Sequence, residues 1–144
     1  ISNIPIIVGG MASRTIDISV RCGDEWNGYY LTHEKLKKKL SLILELEKKY
    51  KKFIKKTIMV PFVIGDSTEK ILNHLKKCNT VFTNLPTDIN EWQKMGYLGG
   101  NPEQIVDQVL TYKAMGIDHI ILEHLDIEND FAIDDLNGKV LTQL

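Results

Sequence analysis

Short segments with the character of β-strands alternate with longer segments that have the spacing of amphipathic helices. The strand segments are residues 4–8, 23–27, 57–64 and 118–124. Three of them are largely apolar along their whole length, which is typical of parallel strands covered by helices on both faces. The sequence therefore predicts an α/β fold of parallel βα repeats with right-handed crossovers.

Helical patterns fill the intervals between these strands. They cover Ser13–Cys22, residues 33–54, a segment starting at Asp66, a segment from Asn101 to Gly116, and residues 134–143. Asn101-Pro102-Glu103-Gln104 is the clearest start, because asparagine suits the N-cap, proline the first position, and glutamine can reach back to the cap. Residues 78–100 read as an irregular insertion with a short helix near 88–94. The four βα units fit half of an eight-unit barrel or a small open sheet, and their spacing does not separate the two.

Composition bounds the class of protein. The chain has 144 residues, 43% of them apolar, which predicts one domain over residues 1–144. Its formal net charge of −1 gives no electrostatic attraction to nucleic acid or anionic membranes. No apolar run reaches the ~20 residues of a membrane span, and no signal peptide is evident, so we expect a cytoplasmic protein. Position 1 is not methionine and a strand follows almost at once, which suggests a piece of a longer protein.

The first strand ends on Gly9 and Gly10, directly before a helical pattern. Backbone N–H groups and the helix dipole favour an anion at such a place, and glycines let a phosphate approach closely. Ser13 offers a hydroxyl and Arg14 a charged donor. The alternative is a tight turn that needs glycine only for its backbone conformation.

The stretch "GDEWNG", residues 23–28, places an aromatic and an amide near the end of the second strand. Trp26 could wall a planar ligand, and Asn27 could hydrogen-bond to one. The alternative for Trp26 is a place in the core.

We expect no metal site among the four histidines. His119 and His124 are five residues apart on a strand and therefore point to opposite faces. His33 and His74 lie on or beside lysine-rich helices, where we expect them to be solvated. His124 falls at the carboxyl end of the last strand, where parallel α/β folds place ligands, so it is a candidate contact with a structural role as the alternative. No catalytic residue follows from the spacing of the side chains.

Three stretches resemble the bacterial luciferase-like monooxygenases, a family of flavin- or deazaflavin-dependent oxidoreductases. "IPIIVGGMASRTIDISVRCGDEWN" is similar to the family's strand, glycine turn, helix and following acidic and tryptophan element. "TIMVPFVIGDSTEKI" matches a strand with an acidic helix start, and "YLGGNPEQIVDQVLTYKAMGIDHIIL" is similar to the family's "GtPeev" ending. Asn101 stands where the family more often has threonine.

The resemblance implies a TIM barrel of which this chain supplies strands five to eight. It implies FMN or a deazaflavin as cofactor, a small-molecule substrate, and an amino-terminal half that this chain lacks, so the chain alone would be inactive. It marks the turn after the first strand as the contact with the cofactor phosphate: Gly9, Gly10, Met11, Ala12, Ser13 and Arg14. The position of ligands in barrels adds Asn27 and His124.

Two other functions remain open at this point. A natural half-barrel would expose sheet edges and an apolar inner face, and would act as a binding or regulatory module that forms homo-oligomers. An unrelated small α/β enzyme that binds phosphate is the third interpretation.

Overall fold

The computed structural model describes residues 4–128 and 130–144, in which five strands alternate with helices. The strands are β1 (Ile7–Gly9), β2 (Glu25–Tyr29), β3 (Lys55–Ile64), β4 (Leu98–Gly100) and β5 (His119–Glu123). The helices are α1 (Ser13–Cys22), α2 (His33–Tyr50), α3 (Thr68–Val81), α4 (Ile89–Lys94), α5 (Pro102–Ala114) and α6 (Asp130–Asp135). A π-helical turn (Leu136–Val140) and a 3₁₀ turn (Leu141–Gln143) follow α6.

The strands pair in parallel. Ile7 lies opposite Glu25 where β1 meets β2, and Glu25 lies opposite Lys55 where β2 meets β3. Phe62 of β3 lies opposite Leu98 of β4, and β5 also pairs with β3. The predicted α/β fold of parallel βα units is confirmed.

The chain divides into two compact units. The first unit comprises the residues up to Met59 together with Lys113–Ile121, and the second comprises Val60–Tyr112 together with Leu122–Leu144. Each unit has its own buried side chains.

In the first unit, α1 and α2 bury apolar residues at helical spacing. Ile16 and Val20 of α1 are fully buried, as are Leu36 and Ile43 of α2. Helix α2 ends at Tyr50, earlier than the predicted residue 54, because Lys51 adopts a left-handed conformation with φ of 52°. The αL residue at this position terminates the helix.

A buried ion pair joins α2 to the start of β3 in the first unit. The Glu47 side chain is 1% exposed, and its Oε1 accepts hydrogen bonds from Lys56 Nζ at 2.9 Å and from the Ile54 N–H at 3.0 Å. The Asp118 carboxylate accepts from the Lys56 N–H at 2.8 Å, and the Asp118 N–H donates to the Lys56 carbonyl at the same distance. Lys56 is therefore fixed through both its side chain and its backbone.

In the second unit, Trp92 anchors a strand that the sequence does not predict. Strand β4 lies inside the predicted irregular insertion, and α3 also extends into that insertion as far as Val81. The Trp92 indole donates to the Leu98 carbonyl at 2.8 Å, and the Gly99 Cα approaches the Trp92 ring so closely that a Cβ would lie 2.9 Å from it. Strand β4 is three residues long and contains two glycines, so local propensity gives no signal for it, and pairing with β3 forms it.

The expectation that His74 is solvated is wrong. His74 is 2% exposed and lies on the buried face of α3 with Leu75 and Cys78. His74 lies three residues after Ile71, so helical spacing places the two side chains on the same face of α3, and this spacing could have indicated burial. The neighbouring lysines make that pattern hard to recognise in the sequence. Burial also raises the pKa of the Cys78 thiol to about 12, which leaves that thiol protonated at neutral pH.

Other boundaries differ by a few residues. Strand β1 begins at Ile7 rather than at residue 4, and α3 is capped by Ser67, whose hydroxyl accepts from the Lys70 N–H, rather than by Asp66. The terminal helix begins at Asp130, before the predicted residue 134, and changes to a π-helical turn at Leu136.

The substitution Glu47→Gln should destabilise the protein by about 3 kcal/mol, because it leaves the Lys56 ammonium, 17% exposed, without its buried counter-charge. Urea unfolding followed by circular dichroism measures the change. Glu34→Gln is the matched control, since Glu34 pairs with Lys38 on the exposed face of the same helix. Equal midpoints for the two variants would contradict a stabilising role for the buried pair.

Burial lowers the pKa of His74 below its ordinary value of about 6.5. The unfolded chain then binds a proton more readily than the folded one, so the contribution of His74 to the free energy of unfolding is lost as the pH falls below about 6.5. The variant His74→Asn should remove this dependence, and its difference from the parent should shrink toward lower pH. Urea unfolding at a series of pH values tests this, and a difference independent of pH would contradict it.

Candidate functional site

The connection between β1 and α1 is a rigid turn, residues 9–12, which we call the glycine turn. Gly10 has φ of +142°, a conformation that L-residues with side chains rarely adopt. A Cβ on Gly10 would lie 2.8 Å from the Thr15 side chain. Position 10 therefore requires glycine both for its backbone conformation and for the space around it.

Strand β2 holds the glycine turn in place. Gly9 lies opposite Asn27 in the β1–β2 register. The Gly10 N–H donates to the Asn27 carbonyl at 3.1 Å, and the Trp26 indole N–H donates to the Gly10 carbonyl at 2.7 Å. Both backbone polar groups of Gly10 are thus bound by adjacent residues of one strand.

Trp26 belongs to the core, which is the alternative to its acting as the wall of a ligand site. Its side chain is fully buried, and a Cβ on Gly28 would lie 2.5 Å from the ring. Sequence reasoning missed its contact with the glycine turn, because Trp26 and Gly10 are 16 residues apart and no local pattern links them.

Helix α1 begins without a side-chain cap. Ala12 occupies the N-cap position and forms no capping hydrogen bond, and the first turn contains no acidic residue. In contrast, side-chain oxygens cap the other four helices from α2 to α5 in the described part of the chain: Thr32, Ser67, Asp88 and Asn101. The first N–H groups of a helix have no intrahelical acceptor, so those of α1 can bind an anion.

The residues at this end of α1 are accessible to a ligand. Ala12, Ser13 and Arg14 are exposed, and Met11 is partly buried. The first intrahelical hydrogen bond runs from the Ile16 N–H to the Ala12 carbonyl at 3.0 Å. The structure therefore brings the predicted contacts Gly9 to Arg14 together with Asn27 in the first unit.

Asn27 carries an unused hydrogen-bond acceptor. Its side-chain Oδ1 is buried and has no hydrogen-bond partner among the described residues. A buried amide oxygen of this kind needs a donor from a ligand or from water. The backbone carbonyl of Asn27 accepts the hydrogen bond from the Gly10 N–H. The residue with the unpaired side-chain oxygen is therefore also the one that fixes the glycine turn.

His124, the last predicted contact, belongs to the second unit. Its ring stacks on Phe62 with a centroid distance of 5.4 Å and meets the His74 ring edge-on at 6.1 Å. Both ring nitrogens are buried and lack hydrogen-bond partners among the described residues.

Metal-ligating side chains do not cluster in residues 4–128 and 130–144: no group of three or more His, Cys, Asp or Glu residues there could hold a metal ion. None of the helices in the same residues is long and apolar enough to cross a membrane.

No protein-family model and no curated protein sequence matches the chain. Solved structures do match it over nearly its whole length. An F420-dependent secondary alcohol dehydrogenase in complex with an F420-acetone adduct superposes with a TM-score of 0.73 at 15% identity, over 97% of this chain and 49% of that one. The long-chain alkane monooxygenase LadA gives 0.70 at 16% identity, over 96% and 40%. A riboflavin lyase (RcaE) with modified FMN and riboflavin gives 0.69 at 14% identity, over 96% and 42%.

The TM-scores show a shared fold, and at identities this low they show the fold alone. The chain spans 49%, 40% and 42% of the length of these three proteins. The chain shares its α/β fold of parallel βα units with part of each of these proteins.

Proposed function

We propose that this chain is the carboxyl-terminal half of a luciferase-like oxidoreductase that uses FMN or a deazaflavin, and that the glycine turn and the start of α1 bind the cofactor phosphate. The observation that carries the proposal is the uncapped start of α1 behind a turn that β2 holds rigid. A phosphate would supply the acceptors that a capping side chain supplies elsewhere in the chain. The similar structures include an F420-dependent enzyme and one that contains modified FMN, which supports the class of cofactor.

Each residue of the site has a separate task in this proposal. Gly9 and Gly10 keep side chains away from the phosphate, and the N–H groups at the start of α1 donate to it. The Ser13 hydroxyl adds a donor, and the Arg14 guanidinium adds a charge-assisted hydrogen bond. The Asn27 amide oxygen accepts from a hydroxyl group of the cofactor's sugar-alcohol chain.

The bound cofactor supplies the redox chemistry, and this chain orients it. Trp26 and Asn27 fix the backbone that would contact the phosphate, so little conformational entropy remains to be lost on binding. Further βα units would complete the barrel and bind the small-molecule substrate.

A non-catalytic half-barrel that oligomerises is the second candidate. In the first unit, Ile4, Ile6 and Ile7 are 81%, 53% and 54% exposed, in and just before β1. An apolar strand edge of this kind needs a covering surface. A protein of this type would bind neither flavin nor deazaflavin, so cofactor titration separates the two functions.

We expect the protein to bind FMN or the phosphate-bearing deazaflavin more tightly than the corresponding compound without phosphate. Arg14→Gln should weaken binding of the phosphate-bearing compound about tenfold, because it removes a charge-assisted hydrogen bond. The affinity for riboflavin, which lacks the phosphate, should not change. Fluorescence titration of each compound measures these affinities.

Arg21→Gln is the matched control, since Arg21 lies at the other end of α1 and pairs with Asp17 at 3.0 Å. Its affinities should equal those of the parent. Equal losses in both arginine variants, or equal losses for FMN and riboflavin, would argue against a phosphate site at the start of α1. Failure of the intact protein to bind either cofactor would overturn the proposed function.

A further inference from the structure

The second unit contains a cavity of about 450 Å³ that the proposed phosphate site does not use. Its walls are the end of β3, one face of α3, Asp126 beyond β5, and α6 with the π-helical turn. This volume lies within the range of small-molecule pockets, about 300–1,000 Å³, and far exceeds the roughly 30 Å³ of one water molecule. We call it the α3–α6 cavity.

His74 lines this cavity and carries a ring nitrogen without a hydrogen-bond partner among the described residues. His74 Nδ1 lies 3.2 Å from the Ile64 nitrogen, whose N–H donates to it, and 3.4 Å from the Ile64 carbonyl oxygen. The shorter contact favours the tautomer in which Nδ1 carries the lone pair and Nε2 the ring proton. Nε2 is buried and has no hydrogen-bond partner among the described residues, and the whole residue is 2% exposed. A buried donor without an acceptor costs stability unless a ligand or water provides one.

Asp126 lines the same cavity and also carries an unpaired polar atom. It is 5% exposed, and its Oδ2 is buried without a hydrogen bond to any described residue. Its ion-pair partner, Lys77 Nζ, lies 3.7 Å away, beyond hydrogen-bond distance. The carboxylate therefore retains capacity for an O–H or N–H donor.

The charges around the cavity favour a neutral ligand. Three lysines and three aspartates line it, and they form the pairs Lys70–Asp66, Lys139–Asp135 and Lys77–Asp126. An anion would meet the under-compensated Asp126 carboxylate, and a cation would meet three ammonium groups. Neither charge sign is preferred.

We propose that the α3–α6 cavity binds a neutral polyhydroxylated molecule, a sugar or a polyol. A single hydroxyl group accepts from His74 Nε2 and donates to Asp126 Oδ2, and so satisfies both unpaired atoms. Asn73 also lines the cavity and offers an amide with donors and an acceptor. Phe131, 80% exposed at the cavity wall, gives an apolar surface for the C–H face of a sugar ring.

The test uses protein labelled with ¹⁵N-histidine and titrated with methyl glucoside or ribitol. Saturable shifts of the His74 ring nitrogens are expected with at least one of the two. Saturation by methyl glucoside indicates a cyclic sugar, and saturation by ribitol alone indicates an open chain. A polyether of similar size accepts hydrogen bonds but donates none, and it should give no saturable shift.

Two variants report on the polar pair. His74→Asn keeps an acceptor for the Ile64 N–H but removes Nε2, and Asp126→Asn removes the carboxylate. Each should lower the affinity about tenfold, as measured for His74→Asn by amide shifts in uniformly labelled protein. His119→Asn, in the first unit and outside the cavity, is the matched control and should bind as the parent does.

Phe131→Ala keeps the proposal testable if the buried variants fail to fold, because Phe131 is exposed. It should weaken binding of methyl glucoside if the ligand is cyclic, and of ribitol if the ligand is an open chain. Shifts that rise linearly with every probe, or affinities unchanged in both Asp126→Asn and Phe131→Ala, would overturn the proposal. The shifts are read at the His74 ring in the second unit, and the proposed cofactor site lies in the first unit, so failure here leaves the proposed function untouched.

Discussion

The hydrogen bond from the Trp26 indole to the Gly10 carbonyl is the contact on which the candidate phosphate site depends. Gly10 adopts a conformation that only glycine tolerates well, and such a turn persists when its surroundings fix it. The Trp26 ring is fully buried in the core of the first unit, so its hydrogen bond fixes the Gly10 carbonyl to that core. The Asn27 carbonyl accepts from the Gly10 N–H. A buried aromatic residue thereby positions a backbone that would bind a ligand.

Polar groups at the two ends of the strands in the first unit have different roles. At the amino ends, the Thr57 hydroxyl donates to Glu25, and His119 lies 3.4 Å from the same carboxylate. These groups contact one another and so stabilise the fold. At the carboxyl ends, the start of α1 and the Asn27 side chain keep unsatisfied groups. This division follows the rule that parallel α/β folds bind ligands at the carboxyl ends of their strands.

Much of the fold could be predicted because it rests on local signals. Helix α1 has the predicted bounds, and Asn101 caps α5 through reciprocal hydrogen bonds with Gln104 at 2.9 Å, as the sequence indicates. Strand β4 could not be predicted, because pairing with the distant strand β3 forms it, and the helical spacing that indicates burial of His74 is obscured by the lysines around it. Local propensity is weakest for a short, glycine-containing strand, and a histidine among lysines resembles a solvated residue.

Hydrophobic periodicity and backbone freedom are properties of neighbouring residues, so the sequence alone predicts the βα units other than β4 and the glycines between β1 and α1. Three contacts depend on the tertiary structure: Trp26 donates to Gly10, Asn27 lies opposite Gly9, and His74 and Asp126 line one cavity. These pairs are brought together by strand register and helix packing. Whether a polar atom is satisfied or left for a ligand depends on such distant neighbours, so the chemistry of a site is settled by the fold.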